Sequence, residues 1–346
     1  MNNKEIFAAL PQRLLPWYRK NARDLPWREN CDPYRVWGSE IMPQQTRVEA
    51  VIDYFNRFMA VFPTVQALAG AEEAQVLKLW EGLGYYSRAR NLQKAAKHVV
   101  EALNGVFPDT AEALIKLPGI GAYTAGAVAS ICFNRPSAAV DGNVLRIVTR
   151  MTADGRAIDL QKTKQEIGEA LEAVYPENAC GDFTQALMEL GACVCTPKSP
   201  KCALCPMGDL CSAHQCKRET DYPVKLPKAK QRVEKRTVFM LCAEGRYAVC
   251  RREDKGLLAG LWQFPNESGM LSPEEAVAWV DNTGAKPFEL LRAVERTHIF
   301  THIRWEMTGY RIDCGEACSA FTWVTREEME QEYTLPTAFR MFLEDL

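Results

Sequence analysis

Four cysteines crowded into seventeen residues constrain this chain more than any other feature of its sequence. Cys195, Cys202, Cys205 and Cys211 follow the spacing C-x6-C-x2-C-x5-C within CTPKSPKCALCPMGDLC. The loops between them are too short to fold independently, but they can bring four thiolates to one metal centre. Four thiolates without a histidine in the run suit a [4Fe–4S] cluster or a structural zinc ion. The spacing therefore predicts a metal centre and leaves the choice of metal open.

The use of cysteine elsewhere points to a reducing compartment. The chain has 13 cysteines, an odd number, and its first twenty residues show no apolar region or cleavage site of a signal peptide. The longest nearly apolar stretch, 122–133, is shorter than the roughly 18 residues of a membrane span. We therefore expect a soluble, cytoplasmic protein with no disulfide framework and no membrane contact.

The length and the apolar pattern predict two domains. The chain has 346 residues, and a domain usually takes about 100 to 200. Residues 1–217 repeat apolar positions every three or four residues, which predicts helices. Residues 237–346 are predicted to form an α+β domain, with strands at 237–243, 246–251, 304–314 and 321–324 and a helix at 272–282.

The charge is distributed unevenly along the chain. The net charge is −2, so no global field attracts a polyanion. Residues 223–236 nevertheless hold six basic residues against one acidic residue, whereas residues 237–346 hold 11 against 18. We predict that residues 218–236 form a basic, proline-containing linker, and that any polyanion would be bound by local patches.

A glycine-containing turn between two predicted helices indicates contact with a phosphate backbone. In KLPGIGAYTAGAVAS, Gly119 and Gly121 allow the chain to approach a ligand closely, and the second helix begins near Ala122 with free N–H groups. This pattern is typical of a helix-hairpin-helix, which binds DNA without reading its sequence. From the loop alone, an ordinary tight corner between helices is equally compatible.

Several polar residues are uninformative when taken singly. Asp141, in AAVDGNVLR, is typical of an N-cap for a helix that begins near Asn143. Glu40, in SEIMPQQT, is predicted at a helix start with Ser39 as its N-cap, which would make Pro43 the fourth helical residue. The two glutamines that follow Pro43 suit either an exposed surface or insertion between bases.

Taken together, five motifs resemble the helix-hairpin-helix DNA glycosylases that carry an iron–sulfur cluster. In chain order they are SEIMPQQT, GLGYYSRARNL, LPGIGAYTAGAV, VDGNVLR and the cysteine run. The resemblance covers about residues 25–211 and implies an all-α helix-hairpin-helix glycosylase domain whose cysteine loop holds a [4Fe–4S] cluster rather than zinc. It also divides residues 1–217 into a six-helix module, about 25–130, and a cluster module formed by 1–24 and 131–217.

One position separates the chemistries within this superfamily. Members similar to endonuclease III, which are also lyases, carry a lysine where this chain has Tyr123, and a tyrosine cannot form a Schiff base. The combination of Glu40, Tyr123 and Asp141 makes the chain resemble the adenine DNA glycosylases of the MutY type. These enzymes remove adenine mispaired with 8-oxoguanine. The resemblance implies that Glu40 is the general acid and that Asp141 stabilises or captures the oxocarbenium ion. It also implies that Tyr123 and Asn143 position Asp141 and the leaving base.

The same resemblance assigns residues to the contact with DNA. It implies that Gln45 and Tyr85 fill or prop open the space left by a flipped base, and that the backbone at Gly119 and Gly121 holds phosphates. Gln44 is also expected to contact the DNA. The expected partner is double-stranded DNA with adenine opposite 8-oxoguanine or guanine, bound by a monomer.

The second domain also matches this family. GLLAGLWQFP and HIFTHIRW resemble its Nudix-like C-terminal domain, which recognises the oxidised guanine. The family's usual recognition loop reads Phe-Ser-His, and this chain has Phe300, Thr301 and His302. Threonine keeps the hydroxyl group and adds a methyl group, so recognition is expected to survive with an altered loop geometry.

Two other functions stay open at this point. One is a pyrimidine-lesion glycosylase similar to endonuclease III, with or without lyase activity; Tyr123 and the second domain argue against it. The other is a non-catalytic protein that binds lesions on the same scaffold; the presence of both Glu40 and Asp141 argues against it.

Overall fold

The computed structural model describes residues 2–44, 48–227 and 230–346, which form two compact units. The first unit consists of the residues up to Gly70 together with Asn91–Pro227. The second unit consists of Ala71–Arg90 together with the residues after Pro227. The segment Ala71–Arg90 thus groups with the C-terminal part of the chain, although it lies within the predicted six-helix module.

Helices form the first unit, as the apolar spacing predicts. Short 3₁₀ turns lie at Pro26–Arg28, Cys202–Leu204, Gly208–Leu210 and Glu219–Asp221. Helix α5 and the start of α6 belong to the second unit. In chain order the helices are α1 (Asn3–Asn21), α2 (Pro33–Ile41), α3 (Val48–Val61), α4 (Val65–Gly70), α5 (Glu73–Leu79), α6 (Ser87–Ala102), α7 (Ala111–Leu114), α8 (Ala122–Phe133), α9 (Gly142–Thr152), α10 (Gln161–Glu172), α11 (Cys180–Cys193) and α12 (Ser212–Gln215).

One buried cluster of the first unit is built mainly by α1, α9 and α11. Buried side chains that meet there include Leu10, Leu14, Ile147, Phe183 and Leu187. The buried Met207 and Cys211 of the cysteine segment belong to the same cluster. The start of α9 and the cysteine segment are therefore parts of one packed body.

The prediction that Glu40 begins a helix is wrong. Helix α2 begins at Pro33, where Asp32 caps it by accepting a hydrogen bond from the Tyr34 amide at 3.0 Å, and it ends at Ile41. Asp32 followed by proline is a stronger start signal than Ser39, because proline needs no amide partner at the first helical position. Ser39 instead donates to the Val36 carbonyl at 2.7 Å.

The corrected bounds of α2 change the setting of two residues. Glu40 lies in the last turn of the helix, at the negative end of its dipole. Pro43 follows the end of α2 instead of being its fourth residue, so its missing N–H disrupts no helical hydrogen bond.

The helix-hairpin-helix forms as predicted from α7, a turn and α8. Gly119 has φ +75° in this turn, and Gly121 is the N-cap of α8. Leu117 and Ile120 are buried on either side of Gly119, which anchors the turn. The amide groups at the start of α8 have no intrahelical partner, as at any helix start, and can bind an anion.

The second unit contains a mixed β-sheet that confirms the predicted α+β domain. The central path runs β3-β2-β1-β6-β5, with β4 beside β1 and β7 beside β2. Strands β1 and β6 are parallel, and the other pairs are antiparallel. The elements are β1 (Arg232–Ala243), β2 (Arg246–Arg251), β3 (Trp262–Gln263), β4 (Asn266–Ser268), α13 (Pro273–Asp281), β5 (Pro287–Ile299), β6 (Ile303–Cys314), β7 (Thr322–Val324), α14 (Arg326–Gln331) and α15 (Thr337–Arg340).

Both faces of the sheet are covered. Val238 and Met240 of β1 lie in one buried cluster, whereas Phe239 and Leu241 lie in another. This alternation follows from the period of two along a strand. Helix α13, which follows β4, packs over one face, and the segments after β7 pack over the other.

Two features of the second unit differ from the sequence prediction. Strand β1 begins at Arg232, inside the segment predicted to be linker, because its first residues pair with the start of β6. Strand β5 has no predicted counterpart, since its thirteen residues lie at the sheet edge and are mostly exposed or half-buried. Such a strand shows no clear alternation of apolar and polar residues.

Every helix within residues 2–44, 48–227 and 230–346 is too short or too polar to cross a bilayer.

The turn of the helix-hairpin-helix provides a first test. An alanine Cβ at Gly119 would lie 2.5 Å from the Asn91 Cβ, at a residue whose φ is +75°. We expect Gly119→Ala to lower the free energy of unfolding by about 1–2 kcal/mol or more, measured by thermal denaturation.

Gly121→Ala is the matched control. Gly121 has φ −92°, and the position that an alanine Cβ would take there has no atom of the surrounding residues within 4 Å, so alanine is tolerated. Equal losses in the two variants would contradict this account of the turn.

Candidate active site and metal centre

One cavity of the first unit brings together four predicted site residues. Glu40, Tyr123, Asp141 and Asn143 all line it, and Gln44 lies at its wall. Its volume of about 530 Å³ is within the range of sites that bind small molecules. Residues from distant parts of the sequence therefore form one pocket.

The Glu40 carboxyl is in an environment that favours its protonated form. Burial raises the pKa of Glu40 to about 7, against a hydrogen bond from the Tyr123 hydroxyl that lowers it. The charge of Asp141 raises the Glu40 pKa further, and Arg28 lowers it. The position at the C-terminal end of α2 acts in the same direction as burial, because the helix dipole disfavours an anion there.

The Asp141 carboxyl has a different environment. As predicted, it is the N-cap of α9, and one of its oxygens accepts from the amides of Asn143 and Val144 at 2.9 and 2.8 Å. The other oxygen accepts from the Asn143 side-chain amide at 2.8 Å. Burial raises the pKa of Asp141, and these three donors oppose the rise by stabilising the carboxylate. Of the two acids, Asp141 is the one equipped to remain ionised.

Tyr123 is a hydrogen-bond donor in this cavity. Burial and the charges of Glu40 and Asp141 raise the pKa of Tyr123 well above its ordinary value, so it keeps its proton. Its hydroxyl donates to Glu40 and not to Asp141, the partner implied by the resemblance. Asn143 alone makes the expected hydrogen bond to Asp141.

Arg146 is not singled out by the sequence analysis, although it links Asn143 in the first cavity to the cysteine segment. Its guanidinium donates to the Asn143 side-chain oxygen at 2.7 Å, the Cys195 carbonyl at 2.7 Å and the Gly191 carbonyl at 2.8 Å. Its charge also helps to lower the pKa of Asp141. The side-chain oxygen of Asn143 accepts the hydrogen bond from Arg146. The side-chain nitrogen of Asn143 therefore faces Asp141 and donates to it. An arginine at an otherwise apolar position of an amphipathic helix is the sequence signal.

A second polar group in the cavity also escapes sequence analysis. The Glu189 side chain is fully buried and accepts from Arg23 and Arg28, each at 2.7 Å. Burial would raise the pKa of Glu189, but the hydrogen bonds from Arg23 and Arg28 hold it below the ordinary value. Trp27 lines the same wall, so the cavity presents an aromatic surface, two cations and a carboxylate. A single sequence gives no signal that these distant residues meet.

The four predicted metal ligands line a separate cavity of the first unit. Cys195, Cys202, Cys205 and Cys211 surround it together with Arg150. Burial raises the pKa of Cys202 to about 11 and that of Cys205 to about 12, so thiolates are unfavourable there without a bound cation. Metal coordination replaces those protons, and the donor set therefore fits a thiolate-bound metal centre.

Arg150 ties the cysteine segment to α9. Although only 2% exposed, it donates to the carbonyls of Thr196 and Pro197 at 2.8 Å and of Glu219 at 2.7 Å. The nitrogen that donates to Thr196 also lies 3.3 Å from the Cys195 sulfur. A guanidinium beside a ligand sulfur stabilises the negative charge of a thiolate-bound cluster.

His214 and Glu219 are two further residues beside the cysteines. Potential ligand atoms of Cys202, His214 and Glu219 lie within 4.8 Å of one another. This group shares Cys202 with the four-thiol set and lines the same cavity, so it is an extension of that centre. Its members His214 and Glu219 lie beyond the regular cysteine spacing, which gives no indication of them.

The predicted DNA-contacting residues lie in several places. Gly119 and Gly121 are in the helix-hairpin-helix turn, and Gln44 is at the wall of the first cavity. Gln45 is outside the described residues. Tyr85 is in the second unit, where it is 44% exposed and has φ +47°.

A second cavity, of about 500 Å³, contains the predicted recognition loop. Residues 82–87 form one wall, and residues 298–303 form another. The Tyr85 hydroxyl and the Thr301 hydroxyl lie 2.8 Å apart across it. The Phe300 ring packs edge-on against Trp305 with 4.9 Å between centroids, and the His302 carbonyl accepts from the Arg232 amide at 3.0 Å.

Comparison with known families assigns each part of the chain. Residues 39–177 match the model for the HhH-GPD superfamily of base excision DNA repair proteins. Residues 195–211 match the iron-sulfur binding domain of endonuclease III, and residues 237–345 match a NUDIX domain. The fold and the cysteine centre thus define a helix-hairpin-helix DNA glycosylase that binds a [4Fe–4S] cluster, and the alternative of structural zinc is discarded.

Curated relatives identify the family within this class. The chain is 36% identical over 388 residues to the adenine DNA glycosylase of Rattus norvegicus, covering 92% of this chain and 74% of that protein. The human adenine DNA glycosylase is also 36% identical, over 91% of this chain and 70% of its own length. The chain belongs to the adenine DNA glycosylases, base excision repair enzymes that hydrolyse N-glycosidic bonds.

A solved structure supports the helical fold. A thermostable thymine-DNA glycosylase aligns with a TM-score of 0.55 and 27% identity, covering 62% of this chain and 97% of that one. The aligned share corresponds in size to the helical region of the chain.

The metal centre yields a second prediction. We expect Cys202→Ala to lose most of the roughly four irons per chain and the broad absorption near 400 nm, because a cubane cluster needs all four thiolates. Iron analysis and absorption spectra of anaerobically purified protein measure both quantities.

Cys193→Ala is the control for this experiment. Cys193 is close in sequence but does not line the cavity, and its thiol lies 3.5 Å from Glu189. It should retain iron; equal iron loss in both variants would mean that the ligand set is wrong.

Proposed function

We propose that this enzyme removes adenine mispaired with 8-oxoguanine, and more slowly adenine opposite guanine, from double-stranded DNA. The observation that carries the proposal is the pair of carboxyls, Glu40 and Asp141, in one cavity: burial raises the pKa of Glu40 to about 7, whereas three hydrogen-bond donors favour the carboxylate of Asp141. In this proposal the enzyme acts on intracellular DNA as a monomer and only as a glycosylase.

Glu40 is the general acid in this proposal. Adenine leaves poorly as an anion, so a proton must reach its N7 as the glycosidic bond breaks. A pKa of about 7 keeps a large fraction of Glu40 protonated near neutral pH and makes it a competent donor. Tyr123 orients the acid through its hydroxyl, and the deprotonated Glu40 then serves as the base for water.

Asp141 supports the sugar in the same step. Cleavage builds positive charge on the sugar ring, and a carboxylate beside it stabilises or captures the oxocarbenium ion. The three donors on Asp141 hold it ionised and in place. Asn143 contributes two of these donors and is itself oriented by Arg146.

The chemistry of the cavity supports a glycosylase without lyase activity. A lyase needs a primary amine that can attack the sugar carbon. Among the described residues that line the cavity, the cationic side chains are Arg23 and Arg28, and none is lysine. Tyr123 stands where the related lyases carry their amine.

Base flipping is required because the bond lies inside a duplex. The cavity of about 530 Å³ can accept a purine, with Trp27 beside it and the Arg28–Glu189 pair as polar partners. We assign the amides at Gly119 and Gly121 to the phosphates, and Gln44, Gln45 and Tyr85 to the space left in the duplex.

Recognition of the opposite base is assigned to the second cavity. In this proposal Phe300, Thr301 and His302 contact 8-oxoguanine, and the domain whose sheet begins with β1 at Arg232 acts as the recognition domain. The Thr301 hydroxyl can donate or accept a hydrogen bond, and Phe300 offers an apolar surface.

The division of labour between the acids gives a third prediction. Glu40→Gln keeps the shape of the side chain but cannot deliver a proton, so the single-turnover rate should fall at least about 10²-fold.

In the unaltered enzyme kcat/KM should decline as pH rises through about 7, because Glu40 then loses its proton. Asp141→Asn should also be slow while still binding the duplex tightly.

An adenine analogue that leaves without N7 protonation separates the two roles. With this analogue as substrate, the Glu40→Gln variant should regain part of its single-turnover rate. The rate of the Asp141→Asn variant should stay low. Rescue of both variants or of neither would overturn these roles. Cleavage of thymine glycol, or borohydride trapping of the unaltered enzyme, would support the pyrimidine-lesion alternative, and binding without any base release would support a lesion-binding protein.

The recognition loop gives a fourth prediction. Thr301→Val keeps the shape of the side chain but removes the hydroxyl group, so the preference for 8-oxoguanine over guanine should fall about tenfold. Thr301→Ser, which keeps the hydroxyl group, is the control and should retain the preference. The preference is measured from single-turnover rates and dissociation constants on duplexes with adenine opposite 8-oxoguanine or guanine. An unaltered preference in Thr301→Val would contradict the assignment.

A further inference from the structure

The second cavity has walls that come from distant parts of the chain. One wall is the loop 82–87, which follows α5, and the other walls include the recognition loop and residues Pro336 and Thr337. The hydroxyls of Tyr85 and Thr301 face each other at 2.8 Å. A ligand between such walls is bound well only if their separation is held constant.

The part of this loop before α6, residues 82–86, lies outside helices and strands. Gly82, Gly84 and Tyr85 all have positive φ, at +101°, +68° and +47°. Its internal hydrogen bonds run from the Trp80 indole to the Gly84 carbonyl at 3.1 Å and from Arg88 to the Leu83 carbonyl at 3.1 Å. These bonds shape the loop, and the Tyr85–Thr301 hydroxyl pair gives it a contact with the recognition loop.

Glu81, directly before this loop, attaches it to the wall that contains Pro336 and Thr337. Its side chain is only 8% exposed and accepts from Lys78 at 2.9 Å and from Arg340 at 2.6 Å. It also accepts from the Leu335 amide at 2.8 Å. Lys78 in turn donates to the Tyr333 carbonyl at 3.1 Å.

The partners of Glu81 flank the cavity wall. Leu335 and Arg340 lie on either side of Pro336 and Thr337, the two residues of this segment that line the cavity. One carboxylate thus binds both ends of the segment that forms one wall, and it is covalently adjacent to the loop that forms the other. A carboxylate with three charged or amide donors, shielded from water, is held far more tightly than an exposed ion pair.

We propose that Glu81 is a positioning residue that sets the separation of the cavity walls and thereby the preference for the base opposite adenine. This inference rests on the recognition role proposed above for the second cavity. Glu81 lies outside the first cavity and therefore acts on the selection of the duplex and not on the glycosidic bond.

The test compares Glu81→Gln with the unaltered full-length enzyme on duplexes with adenine opposite 8-oxoguanine or guanine. Glutamine keeps the size and the acceptor for Leu335, but it loses the charge that holds Lys78 and Arg340. A misplacement of about 1 Å can cost up to about 10²-fold, so we expect the preference to fall roughly tenfold. The loss should come from weaker binding of the 8-oxoguanine duplex, with the rate on the guanine duplex unchanged.

Variants at Arg340 test the same contact from its exposed side. Arg340 is 42% exposed, so its substitution is less disruptive to folding than that of Glu81. Arg340→Gln should share the loss of preference, Arg340→Lys should keep most of it, and the double variant should lose no more than Glu81→Gln alone. Glu330→Gln is the matched control, because Glu330 also pairs with an arginine, Arg326, but is 49% exposed and does not line the cavity.

The outcomes separate the inference from the function it depends on. A normal preference in both Glu81→Gln and Arg340→Gln overturns the inference alone. Equal losses on both duplexes, together with a lower unfolding temperature, also overturn it, because they indicate a general structural role. An unaltered enzyme without any preference for 8-oxoguanine overturns the proposed recognition role, and the inference with it.

Discussion

The burial of two arginines on α9 is the interaction on which the helical unit depends. Arg146 and Arg150 lie one and two turns after the carboxylate that caps this helix, and both donate to carbonyls of the cysteine segment. A buried guanidinium is costly unless its donors are satisfied. The cysteine segment supplies those acceptors, and the arginines in turn fix its path. The helix start and the cluster are therefore held by the same few contacts.

Helix ends explain why two similar acids have different environments. Glu40 lies in the last turn of α2, whereas Asp141 precedes the first turn of α9. The dipole of a helix disfavours an anion at its C-terminal end and favours one at its N-terminal end. Hydrogen bonding follows the same division, since Asp141 accepts from amides at the start of α9, whereas Glu40 accepts from the Tyr123 hydroxyl group. Burial raises the pKa of both acids, and the backbone adds to this rise at Glu40 and opposes it at Asp141.

Local patterns predict much of the molecule, whereas contacts between distant segments cannot be predicted from them. The cysteine spacing, the glycine-containing turn and the cap at Asp141 are short-range signals, and the structure has each in place. The sequence pattern assigns Glu40 to the wrong end of its helix because Asp32 and Pro33, well before it, form the stronger cap. Strand β5 escapes prediction because an edge strand need not alternate. Arg146 and Glu189 escape it because their partners are brought to them only by the fold.

The hydrogen bond between Tyr85 and Thr301 has a consequence for selectivity. In the absence of DNA, each hydroxyl already has a partner, so an incoming base must exchange one hydrogen bond for another. Such an exchange is nearly neutral for a base that offers only an equivalent group. It becomes favourable for a base that offers an additional donor or acceptor at the right place. In the recognition role proposed for the second cavity, such a base is therefore preferred, because an ordinary base gains no free energy from the exchange.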